Sequence, residues 1–190
     1  MILTSILFLS LMGGQMKPVP EKPVSPIHMK DVAGVSRPIP GASVATVLLF
    51  TATDCPIANR MSPVFGRIVK DFSAKGIEFL YVYIDPTQTP KQVAKHLIDY
   101  KLGAPGILDS KHLIVKATGA TVTPEAVVLD RVGMMLYRGR INDLFLEHGR
   151  ARKAATREDL RIALKEILAG KQVSVSQTPA LGCSIPDFGL

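Results

Sequence analysis

The thiol of Cys55 is the group in this 190-residue chain whose surroundings best suit chemistry. An apolar run over residues 44–50 leads through Thr-Ala-Thr-Asp into Cys55-Pro56, and a helical pattern begins at Ile57 or Ala58. A buried strand therefore delivers the thiol to the first turn of a helix, where free backbone N–H groups and the helix dipole stabilise a thiolate. We expect Cys55 to be accessible, with a pKa below the free value of about 8.5, and to act as a nucleophile. The same residues are also compatible with a small apolar side chain buried in the core.

Cys183, in the segment TPALGCSIPDF near the C-terminus, is the second of the two cysteines. Three roles are open to it: it resolves a mixed disulfide or a sulfenic acid on Cys55, it forms a permanent bridge with Cys55, or it stays free or pairs with another protein. The first two roles require the two Cα atoms to come within about 7 Å of each other. Two cysteines are too few for a disulfide scaffold, and no cysteine–histidine spacing indicates a zinc site. We therefore expect no metal and no other cofactor.

The net charge of +7 is most visible in the arginines between residues 138 and 161. A nucleic-acid surface usually interleaves aromatic residues with its charges or belongs to a known module, and neither is seen here. We expect a solvated basic face and no nucleic-acid partner. The histidines are scattered, and each is expected on the surface rather than in a ligand set: they are His28, His96, His112 and His148.

Residues 1–12 are almost wholly apolar and are followed by Gly-Gly-Gln. The run is too short to span a membrane, and it resembles the apolar core of a secretory signal peptide, although it lacks a basic n-region. We predict that residues 1–15 direct export to a periplasmic or extracellular location, where a disulfide persists. If translation instead starts at Met16, the protein is cytoplasmic. Residues 16–41 are rich in proline and form an extended linker or a strap over the domain surface.

Residues 42–170 predict one α/β domain, followed by a tail, residues 171–190, that carries Cys183. The first two strands are joined by a helix and should be parallel with a right-handed crossover, whereas the last two form an antiparallel hairpin. Thr156 and Asp159 have the spacing of a capping box at the start of the last helix. A mixed sheet with helices on both faces follows. The predicted elements are strands at 44–50, 77–84, 126–129 and 134–138, and helices at 58–74, from Thr89-Pro90 to Tyr100, at 113–117 and at 156–169.

Three stretches resemble the thioredoxin-like superfamily, and within it the redoxin branch of alkyl hydroperoxide reductase and thiol-specific antioxidant relatives. They are TATDCPIANR (51–60), TGATVTPEAVVLDRVG (118–133) and LYRGRIND (136–143). The resemblance implies a thioredoxin-like three-layer sandwich around a mixed central sheet. It also implies that the Thr123-Pro124 bond is cis, packs beside the active thiol and binds extended thiol substrates through the neighbouring backbone. On this resemblance Cys55 and Cys183 are the catalytic residues, and Thr123, Pro124 and Pro56 bind substrate.

Four positions depart from the patterns of these relatives. Dithiol sites carry a second cysteine three residues after the first, where this chain has Ala58. Peroxidatic members carry a threonine and a proline where this chain has Ala52 and Leu48, so the groups that would polarise a peroxide are not in place. Copper-delivery relatives carry a second cysteine at the position of Asn59, which argues against a copper site.

Two hypotheses of different classes follow. The first is a thiol-based oxidoreductase that performs thiol–disulfide exchange or hydroperoxide reduction through Cys55. Its partners would be protein thiols and disulfides or a small peroxide, without a stable membrane span. The alternative is a non-catalytic thioredoxin-like module, for binding or structure, in which Cys55 and Cys183 are bridged or inert.

Overall fold

The computed structural model describes residues 22–188, so the predicted export segment at residues 1–15 lies outside the described residues. Secondary structure begins with short strands and then alternates between strands and helices. In chain order the elements are β1 (Ile27–Lys30), β2 (Ser36–Ile39), β3 (Ala45–Thr51), α1 (Pro56–Ser73), β4 (Ile77–Tyr83), α2 (Pro90–Asp99), β5 (Gly106–Leu108), α3 (Leu113–Thr118), β6 (Val122–Thr123), β7 (Glu125–Asp130), β8 (Met135–Gly139), β9 (Phe145–Glu147), β10 (Arg150–Ala151), α4 (Asp159–Leu168) and β11 (Cys183–Ser184).

A five-stranded mixed sheet forms the centre of the fold, with the strand order β5-β4-β3-β7-β8. Strands β3 and β4 are parallel, as predicted for two strands joined by a helix. Strand β7 pairs antiparallel with β3 on one side and with β8 on the other, which confirms the predicted hairpin. The parallel edge strand β5 was not predicted, because its three residues are too few to give a period.

Both faces of the sheet are covered. Along β3, Val47 and Leu49 pack into one hydrophobic cluster, and Leu48 and Phe50 pack into a second cluster on the opposite face. Every residue of β3 is buried, as expected of a central strand with a layer on each side. The long apolar runs of β3 and β4 therefore correctly predicted buried strands, and both lie inside the sheet.

The two outer layers differ in composition. Helices α1 and α4 supply the buried apolar side chains of the first cluster, among them Phe65 of α1 and Leu164 of α4. Ile114 of α3 and Ile39 of the β1–β2 hairpin lie in the second cluster, together with Val24. The layers confirm an α/β thioredoxin-like sandwich with helices on both faces. Part of the proline-rich segment forms this hairpin.

The N-termini of two helices test the capping predictions. The hydroxyl of Thr89 accepts the backbone N–H of Gln92 at 3.3 Å, and Pro90 occupies the first turn, so α2 begins as predicted. The predicted capping box of α4 is wrong: its N-cap is Glu158 and no side chain caps it. Thr156 instead donates its hydroxyl and its backbone N–H to the carboxylate of Asp143. A partner distant in sequence has replaced the local one.

The C-terminal tail is more ordered than its sequence indicates. The backbone N–H of Arg138 donates to the carbonyl of Ser176 at 2.9 Å, and the N–H of Thr178 donates to the carbonyl of Arg138 at 3.1 Å. Beyond Thr178 the tail continues to β11, which pairs antiparallel with β6. Gly139 permits the close crossing, because a Cβ there would lie 2.3 Å from the carbonyl oxygen of Thr178.

Two surface expectations are wrong in part. His96 and His112 are buried, because each hydrogen-bonds to a group inside the domain. Arg138, predicted on a solvated basic face, is also buried and forms an ion pair with Glu125. Five further arginines of this region pair with carboxylates, so the basic face is partly neutralised: Arg140, Arg150, Arg152, Arg157 and Arg161. No helix within residues 22–188 is long and apolar enough to cross a membrane.

Candidate active site

Cys55 is the N-cap residue of α1, at the junction with β3, as the sequence predicts. Its backbone is extended (φ −77°, ψ 108°), and its carbonyl accepts the N–H of Asn59 at 2.9 Å, the first hydrogen bond of the helix. Pro56 follows at the first helical position, where its missing N–H costs nothing. The side chain of Cys55 makes no capping hydrogen bond to the helix.

A disulfide joins Cys55 to Cys183, whose Cα atom is 6.2 Å from that of Cys55. Cys183 is half-buried on β11, whereas Cys55 is only 2% exposed. The expectation of an accessible Cys55 thiol is therefore wrong for this state, because the tail covers the residue and holds its sulfur in a bridge.

Thr123 and Pro124 lie directly beside the disulfide. The Thr123-Pro124 peptide bond is cis. The carbonyl oxygen of Thr123 is 3.1 Å from Sγ of Cys55, and the backbone of Thr123 pairs with that of Cys183 across the β6–β11 ladder. Pro56 is exposed at the start of α1. The structure thus brings the predicted residues Cys55, Cys183, Thr123 and Pro124 together around one disulfide.

An open cleft of about 270 Å³ borders the disulfide. Two carboxylates, Asp54 and Asp85, line it, and within the described part of the chain no lysine or arginine does. Apolar and small side chains complete the wall, including Ile84 and Phe188. Both cysteines line this cleft, and Cys183 is the more exposed of the two.

A chain of buried hydrogen bonds behind the site was not found by sequence reasoning. The hydroxyl of Tyr83 lies 2.8 Å from Nδ1 of His96, Nε2 of His96 lies 2.9 Å from Oδ1 of Asn59, and Nδ2 of Asn59 donates to the carbonyl of Thr53 at 2.8 Å. Because Asn59 donates through its nitrogen, its oxygen accepts, so Nε2 of His96 carries the proton that it donates to this oxygen. Burial lowers the pKa of His96, which favours the neutral ring with Nδ1 as acceptor from Tyr83. The chain fixes the loop that precedes Cys55. One signal was present: His96 lies three residues after the buried Val93, on the same face of α2.

An ion pair supports the loop that carries Pro124. Nε of Arg138 lies 3.2 Å from Oε1 of Glu125, and both side chains are buried. The second carboxylate oxygen of Glu125 accepts the backbone N–H of Thr121 at 2.8 Å. Glu125 therefore points neither to solvent nor to the sulfur of Cys55, and its role is to hold the backbone around residues 121–125.

His112 and Asp109 fix the opposite wall of the cleft. Nε2 of His112 donates to the carbonyl of Ile84 at 2.7 Å. The carboxylate of Asp109 accepts three backbone N–H groups at the start of α3; burial raises the pKa of Asp109, and these hydrogen bonds oppose the rise. Among residues 22–188 no group of three or more histidine, cysteine or acidic side chains could hold a metal ion.

Comparison with protein families identifies the class. The model of the AhpC/TSA family matches residues 38–138, more than half of the chain. The chain belongs to the AhpC/TSA family. The matched residues of this AhpC/TSA member include Cys55, Thr123 and Pro124, so the resemblance stated from the sequence is confirmed. A comparison with curated proteins gave no match.

Solved structures agree with the thioredoxin-like fold of this AhpC/TSA member. An uncharacterized conserved protein from Geobacillus kaustophilus is 27% identical, with a TM-score of 0.78 over 90% of this chain and 93% of that one. A hypothetical protein from Sinorhizobium meliloti is 24% identical, with a TM-score of 0.78 over 90% and 95%. The thioredoxin domain of a thiol-disulfide oxidoreductase from Bacteroides vulgatus is 14% identical, with a TM-score of 0.55 over 65% and 89%. Family and disulfide together support thiol-based redox chemistry in general terms.

Proposed function

We propose that this AhpC/TSA family member is a thiol–disulfide oxidoreductase whose redox pair is Cys55 and Cys183. The observation that carries the proposal is the disulfide between a helix N-capping cysteine and a tail cysteine, formed directly beside Thr123-Pro124. The fold shared with the Bacteroides vulgatus thiol-disulfide oxidoreductase domain supports the same chemistry.

The exchange runs in two steps that balance in electrons. In the reduced protein the Cys55 thiolate attacks one sulfur of a partner disulfide, which forms a mixed disulfide and releases the first partner thiolate. The Cys183 thiolate then attacks Sγ of Cys55, which closes the internal bridge and releases the second partner thiolate. The partner has gained two electrons and the Cys55–Cys183 pair has lost two. The steps are reversible, so the same pair also oxidises a partner dithiol.

The tail is built to return Cys183 to the site. Its hydrogen bonds between Ser176, Thr178 and Arg138 lie upstream of the disulfide and do not depend on it. Four residues separate Thr178 from Cys183, so the released thiol stays within a short tether of Cys55. A short tether gives an effective concentration on the order of millimolar, which favours the internal attack over release of a mixed disulfide to solvent.

Hydroperoxide reduction is less well supported at this site. A peroxidatic thiolate needs hydrogen-bond donors that polarise the O–O bond, and the methyl group of Ala52 supplies none. The cleft presents the carboxylates of Asp54 and Asp85 instead. We therefore propose protein thiols and disulfides as partners rather than a small peroxide, and an oxidising compartment reached through residues 1–15 as the location.

The proposal is tested by equilibrating the full chain in glutathione buffers of graded potential. Free thiols are then trapped with N-ethylmaleimide, and the number of modified cysteines is measured by mass spectrometry. We expect one reversible two-electron transition for Cys55 and Cys183. Cys55→Ser should abolish the reduction of insulin disulfides, and Cys183→Ser should accumulate a mixed disulfide on Cys55. Ser73→Ala, at the exposed C-terminal end of α1, is the control and should behave as the unmodified chain. A bridge that no reductant opens in the folded protein would instead establish the non-catalytic module.

A further inference from the structure

The tail lies on the site as a bound polypeptide segment would. Cys183 and Ser184 pair with Thr123 and Val122 in antiparallel register, and the N–H of Ile185 donates to the carbonyl of Thr121 at 2.9 Å. These contacts are made by the backbone, so any extended segment can form them. The side-chain contacts of the tail therefore report what this surface selects.

The residue before the cysteine has no room for a side chain. A Cβ atom at Gly182 would lie 2.1 Å from the carbonyl oxygen of Thr123 and 2.5 Å from its carbonyl carbon. Both are backbone atoms beside Cys55, so they cannot move aside as the end of a flexible side chain would. The surface at this position admits glycine and excludes larger residues.

A cavity of about 170 Å³ borders Pro124. Its walls are mostly apolar and include Met61 and Phe145, and Arg140 and Asn142 form the polar part of its lining. Leu181 of the tail lines it without filling it. An apolar side chain two residues before a partner cysteine therefore finds unfilled hydrophobic space next to Pro124, and burying it there is favourable.

An exposed histidine binds the backbone carbonyl at the glycine position. Nε2 of His148, in the turn after β9, donates to the carbonyl of Gly182 at 2.9 Å. A partner segment in the same register would present its own carbonyl there and accept the same hydrogen bond. His148 thus contributes to binding through the backbone, independently of the partner side chains.

We infer that the surface covered by residues 180–185 binds extended protein segments in which glycine precedes the reacting cysteine and an apolar residue precedes the glycine. The tail itself, with Leu181-Gly182-Cys183, occupies the surface as an intramolecular substrate until its disulfide is reduced. The inference rests on the proposed function, because the partner must exchange its disulfide with Cys55.

The probe is the peptide PALGCSIP, identical to residues 179–186, with its cysteine activated as a mixed disulfide with 2-nitro-5-thiobenzoate. The Cys55 thiolate of the full-length Cys183→Ser variant attacks the peptide sulfur, forms a Cys55–peptide disulfide and releases the coloured thiolate. The second-order rate of release is compared with that of glutathione activated in the same way. Rates with free cysteine as attacking thiol correct for the intrinsic reactivity of each peptide.

We expect the peptide to react about tenfold faster than activated glutathione, and peptides with valine for the glycine or aspartate for the leucine to lose most of that advantage. His148→Ala should slow the peptide about fivefold and leave glutathione unchanged, whereas the exposed control His28→Ala should change neither. Equal rates for all three peptides would overturn the inference while leaving the proposed function intact. No reaction with any probe, glutathione included, would instead overturn the proposed function.

Discussion

Cys183 lies directly opposite Thr123 in the β6–β11 ladder, and the carbonyl oxygen of Thr123 lies 3.1 Å from Sγ of Cys55. One residue therefore touches both halves of the redox pair. Its backbone sets the register of the tail, and its carbonyl marks the position of the Cys55 sulfur. Whatever segment pairs with Thr123 presents its cysteine to Cys55, which explains why a tail distant in sequence reaches the site.

Reduction of the disulfide should destabilise the fold. The bridge closes a loop with a sequence separation of 128 residues, and its loss frees the unfolded chain, which lowers the free energy of unfolding by about 2 to 4 kcal/mol. Urea denaturation of the unmodified chain with and without dithiothreitol measures the difference. Cys183→Ser should match the reduced chain and should not respond to reductant. A reductant-insensitive midpoint in the unmodified chain would contradict the prediction.

Breaking the buried ion pair below the Pro124 loop should cost more than breaking an exposed one. Glu125→Gln leaves the guanidinium of Arg138 buried without a counter-charge, and we expect the free energy of unfolding to fall by about 3 kcal/mol. Glu147→Gln removes a carboxylate from the exposed pair with Arg150, and its effect should stay below about 1 kcal/mol. Urea denaturation compares the two.

A double variant distinguishes the loss of the Glu125–Arg138 attraction from the cost of leaving the Arg138 charge buried without a partner. Glu125→Gln combined with Arg138→Met removes both charges, so it should be less destabilised than Glu125→Gln alone. If the double variant is the less stable of the two, the cost does not come from an unpaired arginine and the argument fails.

The sequence predicted the elements whose signal is local. Each of these signals lies within a few consecutive residues: the largely apolar runs of β3 and β4, and the Thr89-Pro90 cap. The start of α4 was not predicted correctly, because Thr156 bonds to Asp143, 13 residues away, in preference to its own helix. A capping pattern shows only which local hydrogen bonds a side chain could form, and a partner from elsewhere in the fold can form a competing bond.

The candidate site divides in the same way. Cys55 was recognised from the residues beside it, and Pro124 only from the resemblance to the thioredoxin-like superfamily. The pairing of β11 with β6 involves two residues on each strand and carries no periodic signal. The sequence around Gly182 also gave no indication of its role, because the constraint on this residue comes from the backbone atoms of Thr123 that approach it in the fold. Close approach between distant segments is a property of the packed molecule.

The hydrogen-bond chain through His96 should contribute to stability in a pH-dependent manner. His96→Leu leaves the hydroxyl of Tyr83 and Oδ1 of Asn59 without partners, so we expect a loss of about 2 kcal/mol in the free energy of unfolding. His96→Gln offers an acceptor and a donor and should lose less. Urea denaturation near neutral pH ranks the two variants. Equal losses would show that the ring packing of His96, and not its hydrogen bonds, is what matters.

Burial lowers the pKa of His96, and the charge of Asp99 offsets part of the effect. The unfolded chain therefore takes up the proton first as the pH falls below 6.5, the ordinary pKa of a histidine side chain, which favours unfolding. The unmodified chain should lose stability between about pH 7 and pH 5, and the His96→Gln variant should lose less over the same interval. Parallel losses in both chains would contradict this assignment.

Asp143 should stabilise the segment before α4 only while it is ionised. Burial would raise its pKa, but the hydroxyl of Thr156, the backbone N–H groups of Thr156 and Arg157 and the charge of Arg152 lower it to about 2. Because the folded pKa lies below the unfolded one, the stabilisation is complete above about pH 4 and is lost as the pH falls through about 2. Asp143→Asn should therefore lower the free energy of unfolding by about 1 to 2 kcal/mol near neutral pH, and the difference from the unmodified chain should shrink below about pH 4. Urea denaturation at both pH values measures it, with Asp54→Asn at an exposed carboxylate as the control. A difference that persists at the lowest pH would show that the shape of the side chain, rather than its charge, holds Thr156 in place.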